Sequence, residues 1–98
     1  MSLEFRTEEN KLVCIFPNRL DTETCPGLES VLNAKLDEWS EAVVFDLSHV
    51  EYMSSAFLRL SLNVFKKLGG DRFSIINVSP TVKKVFKISG FDRYITIL

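Results

Sequence analysis

Along this chain apolar residues first alternate with polar ones and then recur at helical spacing, and each change of habit marks an element. Leu3 to Thr7 reads as a short strand and Glu8-Glu9-Asn10 as a turn. Lys11-Leu12-Val13-Cys14-Ile15-Phe16 follows as a second strand, near enough to the first to form a hairpin. Pro17-Asn18-Arg19 breaks it. Capping candidates crowd Asp21-Thr22-Glu23-Thr24-Cys25-Pro26, with a proline suited to the first turn of a helix. Leu28, Val31, Leu32, Leu36 and Trp39 then recur at helical spacing, with Glu29, Asn33, Lys35 and Glu38 between them. The pattern predicts an amphipathic helix packed on a sheet.

Ala42-Val43-Val44-Phe45-Asp46 is apolar up to its last residue, which suits a central, parallel strand covered on both faces. A second helix is expected from Ser55 to Leu68, ending at Gly69-Gly70 with Lys66 and Lys67 near its negative end. Arg72 to Val78 forms the next strand. Ser79-Pro80 opens a third helix with Val82, Val85 and Phe86 inside, Gly90 stops it, and Tyr94 to Leu98 closes as a strand. The order β-β-α-β-α-β-α-β implies an α/β domain, a single mixed and mainly parallel sheet with helices packed on it, spanning residues 1–98 as one unit.

Composition narrows the class. The 98 residues are 46% hydrophobic with eight Phe, enough for a core without staples. A net charge of −1 offers no basic field for direct nucleic-acid binding. No apolar run approaches the roughly 20 residues of a membrane span, so membrane insertion is not expected. The start, Met1-Ser2-Leu3-Glu4-Phe5-Arg6, lacks the form of a signal peptide, and a cytoplasmic location is the expectation. Cys14 and Cys25 form no C-x-x-C and the chain has one His, so neither a metal site nor a cofactor motif is in view. Cys14, alternating with Leu12 and Phe16, is expected in the core.

Common nucleotide and hydrolase signatures are absent, and no catalytic residue is assigned. His49 precedes Ser54 and Ser55 by a few residues, so a small enzyme using it as a base is one possibility; a solvent-facing loop histidine is the plainer one. Asp46, at a strand end, is expected to fix the following loop through backbone N–H groups. Lys83, Lys84 and Lys87 form a basic face on the third helix, ordinarily just solvated.

Tyr52-Met53-Ser54-Ser55-Ala56-Phe57-Leu58-Arg59 holds more chemistry. Two hydroxyls at a helix entrance can cap its free N–H groups or carry a phosphate that those groups and the helix dipole favour. Phe57, Leu60, Val64 and Leu68, with Leu58, Leu62 and Phe65 adjoining, cover an apolar arc of about 200°. Such a helix is either deeply buried or leaves part of the arc, near Phe57 and Leu60, exposed for a partner.

Val43-Val44-Phe45-Asp46-Leu47-Ser48-His49-Val50-Glu51-Tyr52-Met53-Ser54-Ser55-Ala56 resembles the central segment of STAS domains, specifically bacterial anti-sigma factor antagonists. Arg19-Leu20-Asp21-Thr22-Glu23-Thr24, Asn77-Val78-Ser79-Pro80 and Ser89-Gly90-Phe91-Asp92-Arg93 agree in order and spacing. The resemblance implies a phosphorylation-controlled switch, not an enzyme. Its partner is an anti-sigma factor that is also a serine-protein kinase, with a phosphatase as a further partner; binding the anti-sigma factor releases a sigma factor. By position Ser55 matches the phosphoacceptor, with Ser54, where the family often has Asp, the weaker alternative. The partner face would comprise Asp21, Ser54, Ser55, Ala56, Phe57, Arg59 and Leu60. Phe57 stands where the family commonly has Gly, as either a hydrophobic anchor or an obstruction to a kinase cleft. The other reading is a STAS subunit of a membrane-transport or signalling assembly, regulated without phosphorylation.

Overall fold

The computed structural model describes residues 3–98; Met1 and Ser2, part of the stretch read above for a signal peptide, lie outside the described residues. The strands are β1 (Glu4–Glu8), β2 (Lys11–Ile15), β3 (Arg19–Leu20), β4 (Ala42–Asp46), β5 (Tyr52–Met53), β6 (Phe73–Ile76) and β7 (Thr96–Ile97). The helices are α1 (Cys25–Leu36), α2 (Ser55–Leu68) and α3 (Pro80–Ile88), and a 3₁₀ turn spans Phe91–Arg93. A five-stranded sheet in the order β1-β2-β4-β6-β7 is antiparallel only at the β1–β2 hairpin and parallel elsewhere. The expected fold class is borne out.

Strand alternation sends Leu12 and Cys14, Val43 and Phe45, and Phe73 and Ile75 to one face, where they join the residues the helices bury, among them Leu28, Leu32, Phe57, Leu60, Val82 and Phe86. Phe45 lies between Phe16 and Phe73, with ring centroids 4.7 and 4.6 Å away, at angles that favour edge contacts. Cys14 is in this core as expected; burial pushes its thiol up to about 12, partly offset by the charge of Lys35, so it packs as a small apolar group. Val13 and Val44, on the opposite face, are buried but stand outside the cluster. The double coverage expected of β4 is therefore corrected: the helices' buried side chains gather on one face, while the other carries a shallow groove lined by Val13, Val44, Ile76 and Leu98.

Local differences have local causes. Val31 is 51% exposed, since it lies roughly 100° around α1 from the stripe of Cys25, Leu28, Leu32 and Leu36. Trp39 lies beyond the end of α1, where its indole N–H donates to the Ala42 carbonyl at 2.9 Å. β6 stops at Ile76 because Asn77 takes a left-handed conformation (φ 58°). The closing strand shrinks to Thr96–Ile97, with Tyr94 ending the 3₁₀ turn. Ser79 caps α3 by accepting from the Val82 N–H at 3.3 Å, and Gly90, at φ 80°, follows its end, as expected. No helix among the described residues is long and apolar enough to cross a membrane.

Candidate functional site

Two strands of only two residues organise the site. β3 and β5 pair in parallel, Arg19 with Tyr52 and Leu20 with Met53, separately from the main sheet. The Glu51 N–H donates to the Asn18 carbonyl at 2.9 Å and the Ser54 N–H to the Leu20 carbonyl at 2.8 Å. The entrances to α1 and α2 are thereby tied side by side, and the register sets Asp21 alongside Ser54. Nothing in the sequence announces this ribbon, because a two-residue strand has no periodicity to read.

Of the two entrances, that of α2 has a side-chain cap and that of α1 a hydrogen-bonded turn around Asp21. Asp21 Oδ1 accepts from the N–H groups of Thr24 at 2.9 Å and Glu23 at 3.0 Å, and the Thr24 hydroxyl accepts from the Asp21 N–H at 3.1 Å. The Thr24 N–H holds the Asp21 carboxyl below its ordinary range; modest burial opposes this, while the Thr24 hydroxyl, the Glu23 N–H and the Arg19 charge reinforce it. Arg19 Nε lies 3.8 Å from Asp21 Oδ2, and its guanidinium stacks 4.9 Å from the centroid of the Tyr52 ring.

At α2, Ser54 is extended (φ −101°, ψ 176°) and its Oγ accepts from the Ala56 N–H at 3.2 Å. Ser54 is the cap; its hydroxyl is occupied and the residue half-buried. Ser55 is the first helical residue and exposed. Arg59, one turn on, is exposed on the same side.

Of the two readings of the α2 arc, burial holds for the half that carries Phe57 and Leu60. Phe57 is fully buried, 5.1 Å from the Phe16 ring centroid, and Leu60 is buried beside it. Neither side chain can meet a partner, so both leave the expected contact set, and Phe57 is neither an anchor nor an obstruction on the surface. The reason is geometric: residues 57, 60, 61 and 64 form the stripe that points at the sheet. Ala56 is half-buried. Exposure falls instead on the second half of the arc. Leu58, Arg59 and Leu62 wall an open groove of about 330 Å³ with Ser89, Gly90, Phe91 and Tyr94. Leu62 is 38% and Tyr94 65% exposed. Sequence reasoning placed Leu58 and Leu62 on the arc but could not tell which half the sheet would take.

Asp46 fixes its loop as expected: its Oδ1 accepts from the Ser48 N–H at 2.9 Å and the Asn77 amide at 3.2 Å. Burial pulls its carboxyl up, but the hydrogen bonds from the Ser48 N–H, the Asn77 amide and the Ser48 hydroxyl, with the Arg6 charge, outweigh that and set it below the ordinary range. His49 is exposed in the same loop, and among the described residues no hydrogen bond joins it to Ser54 or Ser55. Lys83, Lys84 and Lys87 are exposed on α3.

A family model described as the STAS domain matches residues 2–98. The chain belongs to the STAS domain family. Among relatives of this STAS domain is BtrV of Bordetella bronchiseptica, named as a candidate anti-sigma factor antagonist, 32% identical over 93% of this chain and 80% of BtrV. The anti-sigma-B factor antagonist of Staphylococcus aureus is 27% identical over 92% of this chain and 85% of its own length. Of solved structures, an anti-sigma factor antagonist from Mycobacterium paratuberculosis superposes with a TM-score of 0.89 at 24% identity, covering 98% of this chain and 83% of that one, a likeness of fold.

Proposed function

We propose that this STAS domain is an anti-sigma factor antagonist working as a phosphorylation-controlled binding switch. The unphosphorylated form sequesters a kinase-type anti-sigma factor and so releases a sigma factor. In the reverse direction the kinase transfers the γ-phosphoryl group of ATP to Ser55 Oγ, the hydroxyl proton leaves, and ADP departs. The phosphoprotein then binds that partner weakly.

One observation carries this reading: the two serines are in different states. Ser54 spends its hydroxyl on the α2 cap, whereas Ser55 is exposed at the first helical position, one turn before exposed Arg59. A phosphate there adds roughly −1.5 to −2 charges near the positive end of a helix dipole, which tolerates them. The fold is kept and the partner surface changes, by repulsion and by blocked contact. The names of the curated relatives support the antagonist role.

Incubation with a kinase-type anti-sigma factor and ATP, followed by mass spectrometry, tests the site. One phosphate on Ser55 and weakened complex formation are expected. Stable complex formation with no phosphate incorporated rejects the switch. It would leave the second reading, an unphosphorylated STAS subunit of a transport or signalling assembly, which the exposed groove beside Leu58 and Leu62 favours.

A further inference from the structure

Ser55, Leu58, Arg59 and Leu62 lie at helical spacings of three, four and seven residues, so they form one outward stripe on α2. The stripe joins two features: the exposed serine at the helix entrance and the groove closed by Ser89, Gly90, Phe91 and Tyr94. Arg59 belongs to both. It is one turn, about 6 Å of helix rise, from Ser55, and it is the charged member of the groove wall. Among the described residues no carboxylate stands within ion-pair distance of it. Arg19, the other cation near the entrance, is held by Asp21 and stacked on Tyr52. Lys66 is too far along the helix, about 16 Å from Ser55. Of the carboxylates near these residues, Asp21 Oδ1 already accepts from Thr24 and Glu23, Glu51 is exposed four residues before Ser55, and Asp92 is exposed next to Phe91 of the groove.

We infer that Arg59 is the in-chain counter-ion of a phosphate on Ser55 and couples that modification to the groove. The inference rests on the phosphorylation reading above and adds how the signal travels. A phosphate at Ser55 draws the guanidinium towards the helix N-terminus in a charge-assisted pair one turn long. The groove then loses its cation and becomes an apolar slot between Leu58, Leu62, Phe91 and Tyr94. One modification thus changes two parts of the partner face: an anion appears at the entrance, and a positive wall becomes neutral. A partner segment that seats an apolar side chain in the groove and a carboxylate on Arg59 loses the second contact when Ser55 is phosphorylated.

The test bypasses any kinase. Phosphoserine is inserted at position 55 during translation, and the phosphate is titrated by ³¹P NMR in the wild-type background, in Arg59→Gln and in the control Lys66→Gln. Its second pKa is expected to lie about 0.3 lower in the wild-type background than in Arg59→Gln, the size of a one-turn helix ion pair, and to be unmoved in the control. The Leu58 and Leu62 methyl resonances are expected to shift on phosphorylation in the wild type and to stay still in Arg59→Gln. Equal titration with and without Arg59 overturns the pairing. A pKa difference without Arg59-dependent methyl shifts overturns the coupling to the groove. Failure of kinases to modify Ser55 would sink the proposed switch and leave these results unaffected.

Discussion

The amide of Asn77 donates to Asp46 Oδ1 at 3.2 Å, joining the ends of two neighbouring strands at the edge where the chain leaves the main sheet. Asn77 can do this because it holds a left-handed backbone (φ 58°) that Asn tolerates better than most residues. Asp46 uses the same oxygen to order Ser48, at the start of the loop leading to Ser54. The entrance to α2 is thus tied to β6 as well as to β3.

This link has a pH signature. Asp46 titrates below its ordinary value of 3.8 when folded, so the folded state binds its proton less readily than the unfolded chain does. Its stabilising contribution is present above the unfolded value and is lost as pH falls through the lower folded one. Asp46→Asn is expected to cost roughly 1–2 kcal/mol at neutral pH, with the gap from wild type closing toward pH 3. Urea unfolding midpoints from pH 7 to pH 3 check this; a gap that widens in acid would contradict it.

The two adjacent serines should separate cleanly. Ser54→Ala removes the cap and is expected to cost about 1 kcal/mol of stability. Ser55→Ala touches an exposed side chain and should stay within about 0.5 kcal/mol of wild type. In the kinase assay the pattern inverts: Ser55→Ala abolishes incorporation, and Ser54→Ala retains it. Thermal melts run beside the phosphorylation assay on both variants give the comparison.

Phe57 is expected to behave as core. Phe57→Ala opens a cavity between Phe16 and Phe45 and should cost about 3–5 kcal/mol, a large part of the roughly 5–15 kcal/mol that holds a domain folded. Leu62→Ser, on the more exposed half of the same arc but still partly covered at 38% exposure, should cost about 1 kcal/mol, well below the loss at Phe57. Denaturant melts of the pair distinguish a packing residue from a contact residue; equal small losses would mean Phe57 does not plug the core.

Gly70 is required for space. A Cβ there would lie 2.7 Å from the Tyr94 carbonyl oxygen, a backbone atom that cannot swing aside. Gly70→Ala should therefore cost roughly 1–3 kcal/mol through local displacement and move Tyr94, one wall of the groove. Gly27→Ala, where nothing lies within 4 Å, is the matched control. Tyr94 ring resonances by NMR report the displacement.

How far the chain could be read depended on whether the information was local. Hairpin, helices and the order of elements along the chain follow from periodicities and caps carried within each segment, so Ser54-Ser55 at the start of α2 and Ser79-Pro80 at the start of α3 were legible. Asp46 was legible too, since a carboxylate at a strand end meets the next loop's N–H groups. The pairing of β3 with β5 was not: two residues make no pattern, and the ribbon exists because distant segments exchange backbone hydrogen bonds. Nor could the chain alone orient α2. An apolar arc of about 200° exceeds what one contact face needs, so either half could have turned inward. Contact with Phe16 and Phe45 drew Phe57 and Leu60 to the sheet and left Leu58 and Leu62 outside. The groove then arose where that outward half met Gly90, Phe91 and Tyr94, residues far along the chain that only packing brings to Arg59.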